Sequence, residues 1–260
     1  MIYLKTYFYV PHEIKFLKMN LREAYNHIDK FIICEYNRTH TGAPKDYIFD
    51  QFYNEFTEKE KEKILYVKGD LSKWTVEAYN NEPAIHAINE PAMRGFFETE
   101  VDLKDDDIVV SIDADEIIYG HMYPKIIDEV NRRLLVRLNL HQFFYKPTYL
   151  WEGKDFVSPI ATKYSVFKGS FPGCNWRDQG PIMDGKAGCH FSWCMSPKEM
   201  VYKLHTYSHP RYRFCADEDL LTDAIENKKY PFDSSVDFNI KELSVDDKII
   251  PKSATELLDV

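Results

Sequence analysis

Residues 108–117 read Ile108-Val109-Val110-Ser111-Ile112-Asp113-Ala114-Asp115-Glu116-Ile117. A β-branched apolar run ends abruptly in three carboxylates. Such a run predicts a strand buried on both faces, as inside a parallel sheet. Ligands of open α/β sheets bind just beyond the carboxyl ends of the strands, so these acids stand where a ligand would be. Asp113 and Asp115, two apart where the strand frays into a loop, can turn toward one divalent cation. Their hard oxygens suit Mg²⁺ or Mn²⁺, which also bind substrate phosphates. Spacing alone is a weak signal, since Asp105/Asp107, Glu58/Glu60 and Asp217/Asp219 also set acids two apart. None of those pairs ends a buried strand.

Outward from this stretch, strand and helix patterns alternate. Residues 1–10 read as a strand, and 12–25 as a helix with Ile14, Leu17, Leu21 and Tyr25 on one face. Phe31–Glu35 is a second buried strand that also ends in an acid, followed by a polar loop through Lys45. A charged segment over 55–63 precedes a strand at Ile64–Val67. Residues 84–101 carry a helical stripe that Pro91 should kink or split. Pro124–Arg133 predicts a helix, 134–151 one or two strands, and 158–188 an irregular stretch. A strand over 187–194 leads to Ser196-Pro197-Lys198-Glu199, a capping box that starts the next helix. Leu220–Asn227 is helical, and the tail beyond Ser234 is polar and expected to pack loosely. The pattern points to βαβ units. One domain is expected over 1–235, in two halves (1–120 and 121–235), then a tail over 236–260.

The chain has 260 residues, 44% apolar and 15% aromatic, enough for a sizeable core. A net charge of −9 argues against a nucleic-acid partner. It leaves room for a nucleotide substrate, because a cation and a few basic side chains can offset a diphosphate. No apolar run approaches the ~20 residues of a membrane span, and no signal peptide is evident, so a cytoplasmic location is the simplest expectation. Five cysteines are an odd number. Cys174, Cys189, Cys194 and Cys215 with His190 lack the knuckle spacing of a zinc site, and buried thiols explain them better.

Three blocks carry a resemblance: FIICEYNRTHTGAPK (Phe31–Lys45), DDIVVSIDADEI (Asp106–Ile117) and AGCHFSWCMSPKEMVYKL (Ala187–Leu204). In order and separation the sequence resembles glycosyltransferase family 17, the β-1,4-mannosyl-glycoprotein 4-β-N-acetylglucosaminyltransferases that add a bisecting N-acetylglucosamine. The third block is the most specific. The resemblance implies an α/β, GT-A-like nucleotide-sugar transferase fold, with a mixed, mostly parallel sheet flanked by helices. It implies a UDP-sugar donor, a glycan or glycoprotein acceptor, a Mn²⁺ or Mg²⁺ ion and inversion at the anomeric carbon. The family's Asp-x-Asp falls on Asp113 and Asp115, its histidine on His190 and its acid after the second strand on Glu35. The chain departs from the family at Ile118, where members carry proline, and in the order Cys189-His190-Phe191-Ser192-Trp193-Cys194.

On this reading Asp115 is the direct cation ligand, Asp113 bridges metal and ribose or acts through water, and His190 is a third ligand or diphosphate donor. Glu35, Thr41 and Lys45 line the uridine or ribose pocket, and Arg94 contacts phosphate. Inverting displacement needs a carboxylate base at the acceptor hydroxyl. The cluster Asp217, Glu218 and Asp219 is the chosen candidate, although acids in a first helical turn also serve the helix dipole. Trp176, Trp193 and Tyr149 offer apolar faces to a sugar ring. A sugar nucleotidyltransferase would share the acids but needs a glycine-rich phosphate loop, which residues 1–10 lack. A non-catalytic carbohydrate-binding protein would explain the aromatics without the acids.

Overall fold

A computed structural model describes residues 1–173 and 177–257. Strand β1 (Ile2–Tyr7) leads through a tight turn at Pro11–Glu13 into helix α1 (Ile14–Ala24) and strand β2 (Lys30–Tyr36). The charged segment makes a single turn, α2 (Glu58–Lys61), capped reciprocally by Thr57 and Glu60, before β3 (Ile64–Gly69). The stretch around Pro91 stays helical: α3 (Glu82–Ala84), a widened π turn over Ile85–Asn89, then α4 (Glu90–Gly95). Opening the turn ahead of Pro91 accommodates its missing N–H without breaking the helix.

Strand β4 (Ile108–Ser111) is followed by a short strand β5 (Glu116–Ile118) and helix α5 (Tyr123–Arg133). Then come β6 (Leu135–Phe144), β7 (Tyr149–Phe156), β8 (Ile160–Lys163) and β9 (Ile182–Ser192). Helices α6 (Pro197–Thr206) and α7 (Glu218–Glu226) and strand β10 (Ile240–Glu242) follow, and a 3₁₀ turn over Lys252–Leu257 ends the described chain.

These strands form one mixed sheet in the order β10-β7-β6-β8-β4-β1-β2-β3, with β9 beside β6 and β5. The run β3-β2-β1-β4 is parallel throughout. Strand β8 joins the two halves, antiparallel to both β4 and β6. Strand β9 runs parallel to β6 and antiparallel to β5. The chain winds outward from β1 to β3, then crosses back to lay β4 on the other side of β1. That reversal makes a crevice at the carboxyl ends of β1 and β4.

Alternation along the central strands fills both faces, as the IVVSI run predicts. Ile108, Val110 and Ile112 enter one core with Phe31, Ile33 and the inner face of α1. Val109 enters the other with Tyr3, Ile32 and Cys34. A third cluster, half of its buried residues aromatic, lies between β6, β7, α6 and α7.

Two expectations are corrected. Residues 158–188 are not irregular throughout, for they supply β8 and more than half of β9. The tail is not loose either: β10 pairs with β7, and Ile250 and Ala254 are buried in the main core. The Ile249 carbonyl accepts hydrogen bonds from Tyr119 Oη (2.5 Å) and Cys189 Sγ (3.1 Å). Both segments are short on apolar runs, and partners distant in sequence hold them in place. Among the described residues, no helix is long and apolar enough to cross a membrane.

Candidate active site

The loop after β4 is stitched at each residue. The Asp113 N–H donates to Glu116 Oε2 at 2.7 Å, Asn20 Nδ2 donates to the Ala114 carbonyl at 2.9 Å, and the Phe191 N–H donates to the Asp115 carbonyl at 2.8 Å. Strand β5 then pairs Glu116 with His190 across the ladder. Gly188 makes this possible, because a Cβ there would sit 1.9 Å from the Ile117 carbonyl oxygen. His190 is thereby set facing the acids.

Asp115 Oδ1 lies 3.6 Å from His190 Nε2, and Asp115 Oδ2 lies 3.4 Å from Lys203 Nζ. Gln142 Nε2 donates to the Phe143 carbonyl at 3.2 Å, which turns Gln142 Oε1 toward His190 Nδ1 at 2.9 Å. With Nδ1–H donated to that oxygen, Nε2 is turned toward Asp115. Lys203 is delivered by α6, whose start is fixed by Ser196 and Glu199 as the sequence predicts. Burial acts to raise the Asp115 pKa, but Lys203 and His190 hold the carboxyl well below its ordinary range.

Asp113 is engaged differently. Arg94 Nη1 donates to its Oδ1 at 2.8 Å, and Arg177 Nη1 lies 2.7 Å from the same atom. Arg177 also pairs with the fully buried Glu116. Burial again acts to raise the Asp113 pKa, and Arg177 and Arg94 outweigh it, keeping the carboxyl ionised. Asp113 thus anchors two guanidiniums, while Asp115 Oδ1 and His190 Nε2 face each other as a pair of donor atoms. A carboxylate and an imidazole separated by more than a hydrogen bond suit two ligands of one Mn²⁺, and the mixed O,N set suits Mn²⁺ better than Mg²⁺.

These groups line one end of a cleft of about 740 Å³. The other end is walled by Trp151, Trp193, Tyr207, Tyr212, Tyr230 and Phe232, apolar faces of the size sugar rings stack on. Lys203 Nζ, 5.1 Å from the Trp193 ring centre, joins the two ends.

Glu13 also lines this cleft. Its Oε2 accepts the N–H groups of Tyr9 (2.6 Å) and Val10 (3.2 Å), fixing the carboxyl at the turn after β1. Burial pushes its pKa up to about 7, against the opposing pull of Lys203. A carboxylate that exchanges a proton near neutrality is suited to general-base work.

The other sequence candidates fall elsewhere. Glu35 is fully buried under β2 and accepts from Lys45 Nζ (2.7 Å), Tyr66 Oη (2.6 Å) and the N–H groups of Ile48 (2.7 Å) and Phe49 (3.0 Å). It folds the loop after β2 and does not line the cleft, and Lys45 is committed to it. Glu35→Ala is expected to cost about 3–5 kcal/mol of stability by stranding Lys45, read as a fall in melting temperature. Weakened nucleotide binding at unchanged stability would restore the pocket reading. Thr41 is buried against Thr39, with Oγ1 atoms 2.9 Å apart, and is also outside the cleft.

Asp217 caps α7, accepting from the Leu220 N–H at 2.9 Å, while Glu218 and Asp219 are exposed in its first turn. Helix-terminus electrostatics accounts for all three, and none of them lines the cleft where the base is expected. Tyr149 lies in the aromatic core and Trp193 lines the cleft, whereas Trp176 and Cys174 lie outside the described residues. Cys34, Cys189, Cys194 and Cys215 are buried free thiols.

Glu13, Gln142, Arg177, Lys203 and, apart from Trp193, the aromatic wall are not marked by the sequence. One signal is available for Glu13, since the turn after the first strand borders the same crevice as the turn after β4. The aromatic residues come from separate segments and carry no shared local pattern.

Comparison with known proteins agrees with the resemblance read from the three blocks. The human β-1,4-mannosyl-glycoprotein 4-β-N-acetylglucosaminyltransferase is 25% identical over 235 residues, covering 75% of this chain. The chain spans about two-fifths (41%) of that relative's length. Among solved structures, S. aureus TarS (residues 1–349) superposes with a TM-score of 0.42 at 8% identity, over 77% of this chain and 62% of its own. The galactosyltransferase LgtC with donor and acceptor sugar analogues gives 0.41 at 9%, over 100% of this chain and 95% of its own. The profile of glycosyltransferase family 17 matches residues 7–227, and the chain belongs to that family.

Proposed function

We propose that this chain is a cation-dependent inverting transferase that moves a sugar from a UDP-sugar to a glycan hydroxyl. By the name of its human relative, the sugar proposed is N-acetylglucosamine. The observation that carries the reading is the Asp115–His190 pair, oriented by Gln142 and flanked by three basic side chains at the crevice between β1 and β4.

Asp115 and His190 would hold the cation. When bound, it supplies neutralisation of the charge that develops on the departing diphosphate. Arg94 and Arg177, held by Asp113, and Lys203, held by Asp115, present fixed positive charge to the same oxygens without reorganising. One buried atom in a residue lining the cleft, His40 Nδ1, lacks a hydrogen-bond partner among the described residues. An oxygen-rich ligand satisfies such a group. Trp193, Tyr207 and the neighbouring rings exclude water and stack the sugars.

Ionised Glu13 takes the proton from the acceptor hydroxyl as that oxygen bonds to the anomeric carbon. The bond from that carbon to the diphosphate breaks, and UDP leaves with the electron pair. One displacement inverts the centre.

The test is a screen of UDP- and GDP-sugars with Mn²⁺ and an N-glycan acceptor, scored by nucleotide release and by product. Acceptor-dependent UDP release, abolished by chelation, is the expected result. Release independent of acceptor would make the chain a hydrolase, and metal-independent sugar binding without release would make it a binding module.

A further inference from the structure

A second group of ligand atoms stands apart from Asp115 and His190. Glu82, His86 and Glu90 recur every four residues along the helical stretch, so they share one face. His86 Nδ1 meets Glu90 Oε2 at 2.7 Å, and His86 Nε2 faces Glu82 Oε1 at 3.4 Å. From the segment after α6, His209 Nδ1 reaches the same Glu82 oxygen at 2.9 Å, with its ring centre 4.9 Å from that of His86. The three ligand atoms lie within 4.8 Å of one another. Tetrahedral bonds of ~2.0–2.2 Å place ligand atoms roughly 3.3 Å apart, so little movement is needed.

We propose that Glu82, His86 and His209 form a second cation site, for a borderline transition ion of the Zn²⁺ kind, at the rim of the cleft. Two imidazoles and one carboxylate favour Zn²⁺ or Co²⁺ over the hard ions Mg²⁺ and Ca²⁺. Glu90 completes the arrangement, because a carboxylate on the far nitrogen of a ligating histidine fixes its tautomer and raises its basicity. His86 and His209 both line the cleft, so a three-ligand ion would keep an open position toward it. The ion would join segments 127 residues apart in sequence. Arg211 Nη1 now lies 3.1 Å from Glu82 Oε1; its side chain is 60% exposed and also contacts Tyr212.

The whole chain, stripped by chelator dialysis, would be titrated with Zn²⁺ in excess Mg²⁺ against a chromogenic chelator. Co²⁺ would be titrated in parallel to record the visible ligand-field bands of a four-coordinate site. One tight Zn²⁺ equivalent is expected in the wild type. Glu90→Gln should weaken it about 10- to 100-fold, and His86→Ala and His209→Ala should each weaken it further and abolish the Co²⁺ bands. Asp115→Asn should leave it in place, and Arg211→Gln should tighten it. Melting temperatures of the metal-free variants establish that each is folded. The proposal is overturned if His209→Ala binds like wild type, if Asp115→Asn removes the tight equivalent, or if only weak multiple binding is seen. None of these outcomes depends on sugar transfer.

Discussion

Asp115→Asn is expected to slow sugar transfer at least about a thousandfold, roughly 4 kcal/mol of barrier, with the fold retained. The substitution is nearly isosteric and keeps the backbone carbonyl that accepts from Phe191. It removes the carboxylate whose two oxygens face the His190 imidazole at 3.6 Å and the Lys203 ammonium at 3.4 Å. The replacing amide would offer a neutral oxygen, and His190 and Lys203 would lose their counter-charge. Titration calorimetry should then show Mn²⁺-dependent UDP affinity collapsing, while the melting temperature moves little. Transfer at near-wild-type rate would remove Asp115 from the cation site and with it the mechanism above.

Glu13→Gln is expected to lower turnover by about 10² to 10⁴, the range for loss of a general base, with UDP and Mn²⁺ affinity intact. The pH dependence makes the test specific. Because the folded carboxyl titrates near 7, wild-type activity should fall as pH drops through that value, and the Gln variant should lose this limb. Stability gives a second readout of opposite kind. The folded state holds the Glu13 proton more tightly than the unfolded chain does. Its contribution is therefore favourable below about pH 4.5 and is lost as pH rises through 7. The Gln variant should gain relative stability between about pH 5 and 8, by roughly 3 kcal/mol at most. Unchanged turnover, or a retained acid limb, would move the base elsewhere in the cleft. Asp178, which also lines it, would be the next residue to replace.

The contrast between Glu13 and the cluster at 217–219 shows where local reading fails. Both sets are acids at the start of a helical segment, and nothing in their immediate sequence separates capping from catalysis. The distinction is burial. Asp217, Glu218 and Asp219 stand at the solvent-facing start of α7, where an acid is well hydrated and a helix terminus accounts for it. Glu13 is drawn into the cleft by β1 and α1, and desolvation retunes it. Glu35 fails in the other direction. It ends a buried strand as the acids after β4 do, yet the loop that follows folds back and engages both of its carboxylate oxygens.

What the sequence determined by itself was periodic or contiguous. The apolar run ending at Asp113 marked a strand buried on both faces, the strand–helix alternation marked an α/β sheet, and the capping box marked the start of α6. The three blocks marked the family. Each of these signals lies within about 18 residues of chain, the range over which side-chain period, backbone capping and turn chemistry act. Tertiary structure alone decided which side chains meet. The pairing of β5 with β9 sets His190 opposite Glu116, the antiparallel β8 joins the two halves, and α6 carries Lys203 to an acid 88 residues away. Such contacts depend on the register and crossing of distant segments, and they fix the charge, solvation and proton affinity on which the chemistry depends.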